Sequence, residues 1–191
     1  MQKIMILALI MAILFCGGPP KKQENMTRPK EIPREKGTYM IINIKDFGTI
    51  TIKMHTEQAP NNTANIVGLV KKGFYNGLTF HRIIPGFVIQ GGCPNGDGTG
   101  TPGYDIDDEI SDVLKHLKGT VAMANRGPNT NGCQFYICLA PLPKLDGGYT
   151  IIGQVVSGID VVDKIGAVKT GAMDRPVTPV IMESVTIEEV E

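Results

Sequence analysis

The sequence predicts a mainly β domain, a closed antiparallel barrel capped by two α-helices. Three observations predict it. Short apolar runs rich in β-branched residues recur along the chain. Gly (23) and Pro (13) punctuate its 191 residues, and only two stretches carry helical spacing. Strands and helices do not alternate as βαβ units, so a sheet that removes its own edges by closing is expected.

The elements follow in order. From Tyr39, YMIINI and TITIKM flank a turn at Asp46 to Gly48 and read as a hairpin. Thr63 to Lys72 has apolar residues at Ala64, Val67 and Val70 in helical spacing, opened by Pro60 with Asn61 or Asn62 as cap and closed by Gly73. Asn61-Asn62-Thr63 also fits a glycan acceptor, but the cap is the simpler use of these residues. LTFHRII and GFVIQ are short strands broken by Pro85-Gly86, followed by a Gly-rich loop from Gly91 to Gly103. Further strands are expected at Gly119 to Ala124, Gln134 to Leu139, Thr150 to Val155 and Val180 to Ile187. A second helix is expected over Ser157 to Ile165, with Ser157 as cap and Ile159, Val162 and Ile165 on one face.

Ahead of this body, residues 1–16 read as a signal peptide: Lys3, then an apolar run from Ile4 to Phe15, then Cys16. Twelve residues at about 1.5 Å each reach roughly 18 Å, short of the ~30 Å a span requires. ILFC followed by two glycines resembles a bacterial lipobox, which implies a lipid on Cys16 and a protein exported to the cell envelope or periplasm. Phe15 stands where a small residue is usual, so cleavage nearby and plain secretion stay open. Residues 17–38, rich in Pro and Lys, read as a flexible linker, and residues 39–191 as the folded domain.

Charge and motifs exclude several functions. Nineteen basic and nineteen acidic residues balance, which gives no field for nucleic acid. Cys16, Cys93, Cys133 and Cys138 have no zinc or redox spacing; free thiols are expected at the last three, with one disulfide among them as the alternative. The glycine loop lacks a P-loop ending, and Asp105, Asp107, Asp108 and Glu109 lack the EF-hand spacing. No metal or cofactor is expected, and the protein is expected to be a monomer.

The chemistry concentrates in two strings, FHRIIPGFVIQGG at Phe80 to Gly92 and MANRGPNTNGCQFYI at Met123 to Ile137. Together with GDGTGTPGY at Gly96 to Tyr104 and LDGGYTIIGQV at Leu145 to Val155, they closely resemble the cyclophilin family of peptidyl-prolyl cis/trans isomerases. The likeness implies binding of proline-containing polypeptides, with no cofactor. Isomerisation breaks no bond: the barrier of about 18–20 kcal/mol is amide resonance lost as the C–N bond twists. A catalyst needs only to bind the twisted amide best, with a donor aimed at the prolyl nitrogen.

The resemblance assigns that donor to Arg82, whose planar guanidinium is always charged. It assigns the hold on the substrate backbone to Gln90 and Asn125, with Ala124 on the same rim, and the apolar pocket to Phe87, Val88, Tyr136 and Leu145. Gln134 lies two residues before Tyr136, so both face one side of a strand. By the same alternation His81 is expected on the opposite face from Arg82, as a hydrogen-bonded core histidine. His55 and His116 lie outside the motifs and receive no role.

Three positions depart from the family. Lys144 stands where many members have tryptophan, which removes an apolar wall and implies weak binding of cyclosporin-type inhibitors. Tyr136 replaces a phenylalanine and adds a hydroxyl that must find a partner or wet the pocket. Tyr149 replaces a histidine. An active isomerase with altered preference is expected; the alternative is a non-catalytic proline-peptide binder or chaperone module on the same barrel.

Overall fold

The computed structural model describes residues 34–191; the expected signal peptide with Cys16, and residues 17–33 of the expected linker, lie outside the described residues. Eight strands form one sheet: β1 Gly37–Ile44, β2 Gly48–Met54, β3 Phe80–Ile84, β4 Val88–Gly91, β5 Thr120–Met123, β6 Phe135–Cys138, β7 Ile151–Ser157 and β8 Met182–Val190. Two helices, α1 Pro60–Lys71 and α2 Ile159–Gly166, interrupt them. The strand order is β3-β4-β6-β5-β7-β2-β1-β8, and every pair is antiparallel. All eight strands and both helices read from the sequence are present.

The sheet curls, but its closure is thinner than a full barrel ladder. The edge strands β3 and β8 meet where Thr79 bridges Ile181, with Phe80 N–H donating to Val180 at 3.0 Å and Met182 N–H to Leu78 at 2.8 Å. The closed barrel expected from the sequence is therefore a half-barrel sheet pinned at one end. The folded unit also begins earlier than Tyr39. Gly37 and Thr38 pair with Val190 and Glu189, and Arg34 pairs with Glu188.

Alternation along the strands divides the apolar residues between two layers. Ile42, Ile50, Ile52, Phe80, Ile83, Ile89, Phe135 and Ile137 fill the main core. On the other face of β4, β6, β5 and β7, a smaller cluster joins Val88, Tyr136, Cys138, Ala122 and Ile151. Gln90 is the register partner of Tyr136, and Ala122 its partner on the other side, which makes this outer face the one that carries the site.

The helix ends differ from expectation. Neither Asn61 nor Asn62 caps α1 with its side chain; its first N–H groups, from Asn61 and Asn62, donate to the Glu109 carboxylate at 3.0 and 2.9 Å. Its buried face is Asn62, Thr63, Ile66, Leu69 and Val70, while Ala64 is exposed. The cap of α2 is Gly158, not Ser157: its φ of 84° is left-handed, and a Cβ there would sit 2.2 Å from the Thr49 carbonyl. Ile159 faces solvent, and Val161, Val162 and Ile165 pack inward.

Candidate active site

The site starts from an irregularity in β3. Phe80 pairs with Gly91 and Arg82 with Gln90, so His81 is an extra residue opposite no partner. Phe80 and Ile83 both enter the core, and the two residues between them face outward together. The opposite-face placement expected for His81 is thus overturned by the bulge. Nor is its ring hydrogen-bonded. It is 6% exposed, covered by Gly98, and neither nitrogen has a partner among the described residues. Burial first, then the Arg175 cation, hold its pKa below the ordinary value, so the ring is neutral at pH 7.

Beside it runs a directed chain of side chains. Arg82 Nη1 donates to Gln90 Oε1 at 3.3 Å, and Gln90 Nε2 donates to Gln134 Oε1 at 3.1 Å. Gln134 Nε2 then donates to the carbonyls of Gly98 and Gly100 at 2.8 and 2.9 Å. Arginine can only donate and carbonyls can only accept, so the polarity of both amides is fixed from either end. The loop is folded onto the chain from within. Cys93 Sγ accepts the N–H groups of Gly98 and Gly100 at 3.2 and 3.3 Å.

Arg82, Gln90, Ala124 and Asn125 line one side of a cavity of about 150 Å³, and Phe87, Val88, Tyr136, Leu145 and Tyr149 line the rest. This volume matches enclosed apolar cavities that take up a benzene ring. Gln134 lies instead in a neighbouring cleft of about 60 Å³, which shares Gln90, Ala124 and Asn125 with the first. The residues selected from the sequence for catalysis and substrate binding are therefore at one place, distributed over two adjoining hollows, while Cys16 lies outside the described residues. Asn125 Oδ1 accepts Gly127 N–H at 3.3 Å, and the Asn125 backbone N–H and C=O make no hydrogen bond among the described residues.

The cavity floor resolves the question raised by Tyr136. Its hydroxyl meets His116 Nε2 at 2.9 Å, and His116 Nδ1 meets Asp146 Oδ1 at 2.9 Å. Asp146 also accepts the His116 backbone N–H at 2.9 Å, and these two hydrogen bonds hold its carboxyl below the usual range. In the neutral form of the ring, an ionised Asp146 places the proton on Nδ1, which leaves Nε2 to accept and Tyr136 to donate. Burial pushes the Tyr136 pKa far up, so the hydroxyl stays protonated, and its partner His116 is not among the cavity-lining residues. Tyr149 stands edge-on to Tyr136, with ring centroids 5.8 Å apart and planes at 85°. Lys144, in a 3₁₀ turn at Pro143–Leu145, is exposed and absent from the lining.

Sequence reasoning missed two contributors. His116 lay outside every motif; the added hydroxyl at Tyr136, which demanded a partner, was the available signal. Asp174, whose Oδ2 lies 3.5 Å from Arg82 Nε, had none. The acidic run proves to be local scaffolding: besides Glu109 on α1, Asp108 accepts from Asn129 N–H and Asn131, and Asp105 pairs with Arg126. Cys93, Cys133 and Cys138 are free and buried, and burial pushes Cys133 to about 11 and Cys138 to about 12.

Comparison with known proteins identifies the family. Residues 39–187 match the family model for cyclophilin type peptidyl-prolyl cis-trans isomerases. The peptidyl-prolyl cis-trans isomerase ppi1 of Schizosaccharomyces pombe is 50% identical over 137 residues, covering 70% of this chain and 88% of its own. A peptidyl-prolyl cis-trans isomerase of Synechococcus elongatus is 57% identical over 107 residues, 56% of this chain and 73% of its own. The crystal structure of a Cryptosporidium parvum cyclophilin type isomerase, determined in the presence of the dipeptide Ala-Pro, superposes with a TM-score of 0.76 at 32% identity. It covers 80% of this chain and 99% of its own.

Proposed function

From the premise that this chain belongs to the cyclophilin-type peptidyl-prolyl cis-trans isomerase family, we propose that it catalyses rotation about Xaa-Pro bonds by stabilising the twisted amide through Arg82. The proline ring enters the cavity against Phe87, Val88, Leu145 and Tyr149, over Tyr136. The free N–H and C=O of Asn125, with Ala124 on the same rim, hold the substrate backbone in extended form. As conjugation is lost, the prolyl nitrogen pyramidalises and its lone pair becomes an acceptor, which the guanidinium meets. Planar cis and trans amides offer no such lone pair, so the contact favours the barrier top over both ground states. No proton moves, consistent with a neutral His81 buried beside the arginine.

The observation that carries this reading is a guanidinium held at the edge of a ring-sized cavity. Exchange of an Ala-Pro peptide followed by NMR tests it. Arg82→Ala is expected to lower the catalysed rate by about 100-fold, the scale of losing one preorganised donor. Equal exchange in both proteins would remove Arg82 from the mechanism. Background exchange in both would leave the proline-peptide binding module.

The proposal extends to the chain's location. Residues 1–16 direct export, a lipid on Cys16 tethers a monomer through the linker, and the clients are exported polypeptides whose prolyl bonds isomerise over tens of seconds unaided. Mass spectrometry of the mature protein checks this: an unmodified Cys16, or a chain beginning elsewhere, defeats the tether.

A further inference from the structure

We propose that Asp174 is a positioning residue for Arg82, an inference that rests on the reading of Arg82 given above. The guanidinium has one hydrogen-bond partner and one ion-pair partner, on different nitrogens. Gln90 takes Nη1 at 3.3 Å, and Asp174 faces Nε at 3.5 Å. Nη2 makes no hydrogen bond among the described residues, so it is the donor left for a substrate. One long bond to Gln90 would leave the plane free to swing about its side-chain torsions. A carboxylate facing a different nitrogen attracts that edge of the guanidinium and biases its plane as well as its position.

The segment that brings Asp174 there is built for the purpose at a conformational cost. Val177 N–H donates to Lys169 at 2.9 Å, Gly171 N–H to Arg175 at 2.8 Å, and Thr170 bridges Pro176, closing residues 169–177 into a tight loop. At its tip Met173 and Asp174 both have a φ of 57°, a left-handed conformation that aspartate tolerates but that costs a methionine. Burial does not offset this strain, because Met173 is 78% exposed. What the tip achieves is delivery of a carboxylate to the guanidinium. The pair itself contributes little stability, with side chains 40% and 48% exposed, so its effect is orientation.

The substitution Asp174→Asn removes the charge and keeps a residue that tolerates the left-handed conformation. On an Ala-Pro peptide it is expected to lower kcat by about three- to fivefold, the range of a half-exposed ion pair, with KM unchanged. Added to Arg82→Ala, the same change should cost nothing further, because Asp174 acts only through that side chain. Asp174→Gly, which suits a positive φ, should match Asp174→Asn and guards against a folding defect. Full kcat in both variants, a loss in KM alone, or an undiminished loss in the Arg82→Ala background each overturns the inference. Should Arg82→Ala itself retain parental exchange, the reading of Arg82 falls first, and that result is distinct from the others.

Discussion

The floor and the rim of the cleft are built on opposite plans. At the floor, Tyr136, His116 and Asp146 form a chain with both links at 2.9 Å, and His116 is almost wholly buried. At the rim, Arg82, Gln90 and Gln134 are linked at 3.3 and 3.1 Å in part-buried surroundings. A buried polar chain is costly to break because each partner left behind is unsatisfied, whereas rim groups recover hydrogen bonds from water. The floor should therefore govern stability and the rim should govern rate.

Breaking the floor gives the largest expected effect. His116→Ala removes a buried ring and leaves the Tyr136 hydroxyl unpaired, and about 3 kcal/mol of unfolding free energy should be lost in urea titrations. Tyr136→Phe strands only His116 Nε2 and should cost about 1 kcal/mol while exchange of the Ala-Pro peptide stays near the parent. A stable His116→Ala protein would show that the chain is decorative and that floor and rim do not differ.

The rim is sharpened by Gln90→Ala. This change unhooks the guanidinium from Gln134 and from the Gly98 to Gly100 loop, and catalysed exchange should fall by about tenfold, the cost of a misplaced catalytic group. Stability should move by less than about 0.5 kcal/mol, since water replaces the lost partners. A drop in unfolding free energy with full activity would reverse the assignment of the two regions.

The contrast also explains what the sequence revealed. Every strand was legible because β-branched alternation and Gly or Pro breaks are local signals, and the resemblance carried by two strings gathered Arg82, Phe87, Gln90, Asn125 and Tyr136. The floor was not legible. His116 and Asp146 lie 20 and 10 residues from Tyr136, and no periodicity connects a loop histidine to a strand tyrosine. The cap of α1 was missed for the same reason: Glu109 is 47 residues from Asn62 and substitutes for the side chains that local rules nominate. The His81 error had another cause. Strict alternation fails wherever a strand holds an extra residue, and only the pairing of Phe80 with Gly91 and Arg82 with Gln90 exposes it.

That bulged histidine yields the smallest expected effect, and it asks to which region His81 belongs. Its folded pKa lies below the unfolded value of about 6.5, lowered first by burial and then by Arg175, with Arg82 adding to the shift and Asp97 opposing it. The unfolded chain thus binds more protons as pH falls below that value. The stability contribution is fully present above pH 6.5 and is lost as pH drops through the folded pKa. His55, also lowered by burial, acts with the same sign. In urea titrations from pH 8 to 5, His81→Leu should flatten the decline by up to about 1 kcal/mol per pH unit, within the limit set by one proton. Parallel curves would mean that the ring reaches water in the folded protein, and His81 would then belong with the rim it adjoins.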